Sequence, residues 1–408
     1  MVARALAIAL AQVIVGLKSE IMKRSLIFSI VVLVLFIIAA GGAFYYFIYS
    51  PAQPTPAEKN RQAVNQKLQS GRELLNTNSP QSAIPWLQQA VSSAVDFDQK
   101  SRAELNLGAA YLAAGMPEQG IALLKEVSLN TNYPVGYRST AAQNVIGYYK
   151  NSQNIDFALK NIFTGPTWSG FIVGDNQDAT GLNLATKNAY LWILSFDTST
   201  SVFNVYYTLA NWYADDIKSQ TGAAKAQDIS KTKTYIQLGD AMYPKILAVN
   251  AAAKKQDPTG VLPFTVGVIG NALTLKARAL AGLYFAGDAS ATFETVSSAF
   301  TQALSTLDSD PTGYSTGLYS HFQLADFLVR ADPVANKAAV VKALSFIYSD
   351  PAQYTVNVFF QGFLKSYGAA NSAYRKTQTW KDLVVMAGID PQFKALLIKL
   401  GWAASDLK

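Results

Sequence analysis

The sequence predicts an all-α protein in which one apolar helix precedes an α-solenoid of stacked helical hairpins. Three observations support this fold class. Residues 25–49 contain no charged side chain. From residue 61 onwards, apolar residues recur at spacings of three and four and are interrupted at Gly, Pro, Asn or Asp, as in amphipathic helices. Two sets of internal repeats follow, and repeated helical pairs are typical of solenoids.

Residues 25–49 are expected to cross a lipid bilayer as a single helix. About 20 apolar residues suffice to span the hydrocarbon core, and a helix pairs its backbone polar groups internally there. Lys23 and Arg24 precede the run, whereas Lys59 is the first cation after it. Because positive flanks stay in the cytoplasm, residues 1–24 are predicted to be cytoplasmic and the C-terminal part extracytoplasmic at the cell membrane.

Two alternatives for the N-terminal region remain open. The apolar run could be a cleaved secretory signal, because residues 41–43 are small, although the apolar part of such signals is typically about 7 to 15 residues long. Met22, followed by two cations, also resembles a translation start, so residues 1–21 could be an extension.

A proline-rich segment, residues 50–60, is predicted to be an extended linker between the anchor and the helical region. The chain has no cysteine, which excludes disulfides and thiolate metal sites. The net charge of +7 is not concentrated in one block of Lys and Arg, so no nucleic-acid partner is expected.

The first repeat is marked by glycines. Gly71, Gly108 and Gly147 recur at intervals of 37 and 39 residues, and each precedes a large apolar residue by sixteen positions: Leu87, Leu124 and Phe163. Residues 103–134 are the best copy, and they resemble the tetratricopeptide repeat (TPR), whose usual period is about 34 residues. The resemblance implies two-helix units over residues 61–165, a surface that binds a protein segment, and Tyr111 among the contact residues.

A second repeat lies nearer the C-terminus. Residues 302–314 and 342–354 match at seven positions after a shift of 40, and in both an amphipathic helix is expected to stop at Ser-Asp-Pro. Residues 166–188 are the least helical stretch and are predicted to be a loop. The sequence therefore predicts a C-terminal helical-repeat domain over residues 189–408.

Few residues are typical of a metal or cofactor site, and none is predicted. His321 is the single histidine and is expected to be structural or solvated. Asp175 and Asp178 lie in a segment that does not match a calcium-binding loop, so a polar turn is favoured.

Acidic side chains leave a catalytic alternative. Asp215 and Asp216, with Asp197 and Glu294 elsewhere, are of the type that a glycosidase built from helical pairs uses. Adjacent helical residues do not face one another, so Asp215 and Asp216 are not an acid–base pair by themselves.

Aromatic residues supply the candidate partner-binding site. Tyr206, Trp212 and Tyr213 fall within one short helical segment, and together with Tyr111 they are predicted to contact a partner. The sequence thus favours a membrane-anchored, non-catalytic scaffold with a protein partner. A carbohydrate- or solute-binding module using the same aromatic residues, and an enzyme built as a helical toroid, are the alternatives.

Overall fold

The computed structural model describes residues 55–151, 179–257, 262–309, 314–349, 358–369 and 374–407. These residues form α-helices and short 3-10 helices, and no strand occurs among them, which confirms the predicted all-α class. The α-helices in chain order are α1 (Pro56–Asn76), α2 (Pro80–Ser93), α3 (Phe97–Ala113), α4 (Pro117–Leu129), α5 (Val135–Asn151), α6 (Ala179–Leu194), α7 (Phe203–Asp216), α8 (Gly222–Gln256), α9 (Val266–Phe285), α10 (Phe293–Leu307), α11 (Tyr314–Ala331), α12 (Lys337–Ser349), α13 (Val358–Gly368), α14 (Gln378–Ile389) and α15 (Pro391–Lys399).

The chain divides into two compact units, Met1–Ala63 and Val64–Lys408. In the first unit, the Thr55 hydroxyl accepts from the Glu58 backbone N–H at 3.2 Å, and the Glu58 carboxylate accepts from the Thr55 N–H at 2.6 Å. This reciprocal cap starts α1 at Pro56, because proline is well suited to the first helical position. The predicted linker was therefore wrong at its end, since residues 56–60 are helical.

The predicted membrane span, residues 25–49, lies outside the described residues and stays a prediction. Among the helices that the structure describes, none is both long enough and apolar enough to cross a bilayer.

The second unit begins with hairpins whose glycines allow close helix contact. A Cβ atom added at Gly71 would lie 2.6 Å from the Leu87 side chain, and one added at Gly108 would lie 2.6 Å from Leu124. Helix axes approach closely only where side chains are short. The repeated Gly and Leu positions thus mark the same contact in two successive units. The third pair includes Phe163, which lies outside the described residues.

The C-terminal repeat also corresponds to helical hairpins. Helix α10 packs on α9, and α12 packs on α11. Thr292 caps α10 and accepts from the backbone N–H of Thr295. Helix α10 ends at Leu307, two residues before its Ser-Asp-Pro sequence, and α12 ends at Ser349, the serine of the second such sequence, in line with the predicted helix stops.

The predicted loop over residues 166–188 was wrong in its second part. Helix α6 begins at Ala179, so residues 179–188 are helical, while residues 166–178 lie outside the described ranges. Ala185, Ala189 and Ile193 are fully buried at four-residue spacing, which explains the helix. The predicted boundary between residues 188 and 189 falls inside α6, and Val64–Lys408 is one compact unit.

Candidate functional site

Helix α7 positions the candidate site. It packs against α6, α8 and α9. Ten of its side chains are buried, so it is covered on most of its circumference. Among its remaining side chains, Trp212 is half-buried and Asp215 is exposed.

Asp197 ties the short 3-10 helix Thr200–Val202, just before α7, to Ser139 of α5 through a network of hydroxyl groups. Its carboxylate accepts from Ser139, from the Ser201 hydroxyl at 2.6 Å and from the Ser199 backbone N–H at 2.8 Å. Burial alone would raise the pKa of Asp197, but these hydrogen bonds together lower it. Asp197 therefore stays ionised at neutral pH, and its carboxylate holds Ser139 and the Ser199–Ser201 turn together.

The structure corrects two of the predicted partner-binding residues. Tyr206 is 5% exposed and Tyr213 is 4% exposed. The Tyr213 ring stacks on Tyr235 with centroids 5.7 Å apart, and the ammonium groups of Lys187 and Lys231 lie 3.9 and 4.8 Å from its centroid. Since α7 is central, its tyrosines fill the core and are covered by other side chains.

Trp212 and Tyr111, the other two predicted residues, are half-buried and lie in different places. The Trp212 ring lines a cavity beside α7. Tyr111 lies on α3, and its hydroxyl accepts from the Gln88 side-chain amide at 3.0 Å. The structure does not bring Tyr111 together with the residues of α7.

The central cavity is the larger of two adjoining cavities in the described part of the second unit. Its volume is about 1000 Å³, and it lies between α6, α7, α9 and α11. Its lining is rich in polar side chains: Lys187, Thr208, Asn211, Asp215, Asp216, Asn271, Thr274 and Arg278. Tyr190, Trp212 and Tyr319 contribute aromatic surface.

The charged groups of the central cavity are paired with one another. Lys187 Nζ lies 2.7 Å from Asp216 Oδ2. Asp215 contacts Lys218 at 2.9 Å and Arg278 at 3.7 Å, and it accepts from the Asn211 amide at 3.2 Å. The cavity is therefore polar, but its positive and negative charges offset each other.

A second cavity of about 220 Å³ shares Asn211, Asp215, Arg278 and Tyr319 with the first. Asp326, on α11, lines it, and its carboxyl group lies close to that of Asp382 of α14. Burial and the neighbouring Asp326 charge raise the pKa of Asp382 to about 7, and burial raises the pKa of Asp326 as well. Two neighbouring carboxyl groups disfavour each other's ionisation, which favours a proton on one of them.

His321 stacks on Phe346 with ring centroids 3.9 Å apart, and its Nε2 lies 3.4 Å from Asp308. Burial lowers the pKa of His321, which favours the neutral ring. No group of three metal-ligating side chains occurs among the described residues. Glu294 is exposed in the first turn of α10, and the segment with Asp175 and Asp178 lies outside the described residues.

Sequence reasoning missed most of the cavity lining. The lining comes from helices far apart in the chain: Lys187 lies on α6, Asn271 and Arg278 lie on α9, and Tyr319 lies on α11. The available signal was a cation within otherwise apolar helical segments, as at Lys187 in α6 and Arg278 in α9.

No family model matches the chain, and comparison with curated proteins and with solved structures also gave no match.

Proposed function

We propose that the chain is a membrane-anchored, non-catalytic scaffold whose TPR-like hairpins hold a protein partner on the extracytoplasmic side. The observation that carries this proposal is an apolar edge on the first hairpins. We call it the turn edge, and it consists of Val95, Phe97, Leu129 and Val135.

The turn edge is formed by two neighbouring inter-helix turns. Short turns join antiparallel helices, so the turn between α2 and α3 and the turn between α4 and α5 lie at the same end of the stack. The rings of Phe97 and Tyr133, one from each turn region, have centroids 6.1 Å apart. The two turns are therefore adjacent in space.

Exposure of this edge is high for large apolar side chains. Phe97 is 56% exposed, Val95 is 51% exposed, and Leu129 and Val135 are each 39% exposed. Contiguous exposed apolar residues mark interaction sites, and an aromatic ring is a common anchor in a protein interface. A partner that covers the edge would remove this surface from water.

Two further observations support the scaffold proposal. The repeated Gly–Leu contacts of the first two hairpins match the helix packing expected of TPR-like units. The uncharged run at residues 25–49, with cations only before it, favours a single-pass anchor with the helical units outside.

The test is crosslinking in cells followed by capture of the full chain from detergent extracts. Wild type is compared with a Val95→Ser, Phe97→Ser double variant and with Val334→Ser, a matched control at an exposed turn residue after α11. We expect a consistent protein partner with wild type and the control, and its loss with the double variant. Equal recovery with all three chains would contradict the proposal.

A further inference from the structure

We propose that the central cavity binds a neutral carbohydrate chain. This site is additional to the turn edge, and the two share no residue. A volume of about 1000 Å³ lies at the upper end of the range of about 300–1,000 Å³ for small-molecule sites. The second cavity adjoins it at Asn211 and Arg278, so a ligand longer than one sugar ring has room to extend.

The pairing of charges favours a ligand without net charge. Lys187 is bound to Asp216, and Arg278 lies near Asp215, which also holds Lys218. A charged ligand would have to displace one of these partners and leave it without a counter-charge. A neutral ligand leaves both ion pairs intact and uses only their remaining hydrogen-bonding capacity.

The donors and acceptors suit hydroxyl groups, which both donate and accept. Carboxylates at Asp215 and Asp216 accept, the Arg278 guanidinium donates, and the amide of Asn271 does both. Planar groups of this kind can bind two neighbouring hydroxyls at once. Asn211 is 5% exposed and donates to Asp215, so that carboxylate is held in a fixed orientation.

Aromatic surface completes the match to a sugar, which has an apolar C–H face besides its hydroxyls. Trp212 lines the cavity, and the buried Tyr190 ring packs against it with centroids 5.7 Å apart at an angle of 66°. This edge-to-face contact fixes the indole ring. An aromatic surface beside planar polar groups can contact both sides of a sugar ring.

The test is titration calorimetry on the full chain in a detergent without a sugar head group. The probes are pentasaccharides of α-1,4-glucose, β-1,4-glucose and N-acetylglucosamine, with a neutral Gly/Ser/Asn decapeptide as the competing ligand class. Variants are Trp212→Ala and Asn271→Ala. Asn271 is exposed, so its replacement should leave the fold intact. Trp86→Ala, on an exposed tryptophan outside the cavity, is the matched control.

We expect at least one pentasaccharide to bind wild type and Trp86→Ala alike. Loss of an aromatic anchor should weaken that binding about tenfold in Trp212→Ala, and Asn271→Ala should also weaken it. Circular dichroism checks that each variant is folded. Three results would overturn the proposal: none of the pentasaccharides binds folded wild type, both cavity variants bind like wild type, or only the peptide binds.

Discussion

Replacing Asp382 by asparagine should remove a pH dependence from the stability of the second unit. Asp382 is buried on α14, and its carboxyl group lies close to that of Asp326 on α11. Gln378 donates to its Oδ1 at 2.8 Å, while Arg330 lies 3.8 Å from Asp326 and 3.9 Å from Asp382. Arg330 is beyond hydrogen-bonding distance of both carboxyl groups, so a proton on Asp382 is the remaining way to relieve the repulsion between them.

The size of the pH-dependent stabilisation follows from the pKa of Asp382, which burial and the Asp326 charge raise from 3.8 to about 7. Between these values the unfolded chain has released the proton and the folded chain still holds it. The stabilisation is therefore complete below the lower pKa and is lost as pH rises through the higher one. Each pKa unit corresponds to about 1.4 kcal/mol, which gives about 4 kcal/mol across the whole window.

An asparagine at position 382 can donate its amide N–H to Asp326 and still accept from Gln378, but it does not titrate. Urea unfolding followed by circular dichroism at pH 5 and pH 8 measures the free energy of unfolding. The folded pKa of about 7 lies two pKa units above pH 5. Between pH 5 and pH 8, the free energy of unfolding should therefore fall by about 3 kcal/mol more in wild type than in Asp382→Asn. The control is Glu118→Gln, at an exposed carboxyl in the first turn of α4.

The reasoning fails if wild type and Asp382→Asn show the same change in free energy of unfolding between the two pH values. A uniform loss of stability in the variant would contradict it equally, because such a loss would indicate lost packing without any linked proton. Glu118→Gln should follow wild type at both pH values.

Three further predictions concern helix contact, the Asp197 hydrogen-bond network and topology. Gly108→Ala should lower the free energy of unfolding by about 1–3 kcal/mol, because its Cβ would meet the buried Leu124. Gly147→Ala should not lower the free energy of unfolding, because a Cβ there meets no described atom within 4 Å. Urea unfolding compares the two variants, and equal losses of stability would contradict the contact argument. Asp197→Ala should cost about 1–3 kcal/mol by thermal unfolding at neutral pH, with less effect in acid, because its pKa is lowered in the folded chain. Since the chain lacks cysteine, a Val334→Cys variant allows labelling by a membrane-impermeant maleimide on intact cells. Labelling only after lysis would refute the extracytoplasmic assignment.

Much of the helical architecture could be predicted from local sequence. Helices α2–α5 lie in the predicted TPR-like region, residues 61–165, and α7–α15 lie in the predicted C-terminal helical domain, residues 189–408. These elements have clear apolar spacing and strong terminal signals. The Gly71 and Gly108 positions also predicted helix contacts correctly, because a missing side chain indicates where another helix comes close.

The errors arose where local signals and tertiary packing differ. Pro56 was assigned to an extended linker, although proline is equally suited to the first position of a helix. Tyr206 and Tyr213 were expected to contact a partner because tyrosine is common at interfaces. Their burial depends on how α6, α8 and α9 surround α7, which composition does not reveal. The cavity lining combines distant helices and was unpredictable for the same reason.

The paired Gly71–Leu87 and Gly108–Leu124 contacts have a consequence for how this chain can change in length. In each hairpin, a glycine on the first helix packs against a leucine on the second helix, and this contact repeats after 37 residues. In repeat architectures, stability is roughly the sum of units and of their junctions. Gain or loss of one entire unit in this region would therefore keep the internal fit of every remaining unit. Duplication or deletion of one unit therefore offers a simple route to a longer or shorter relative.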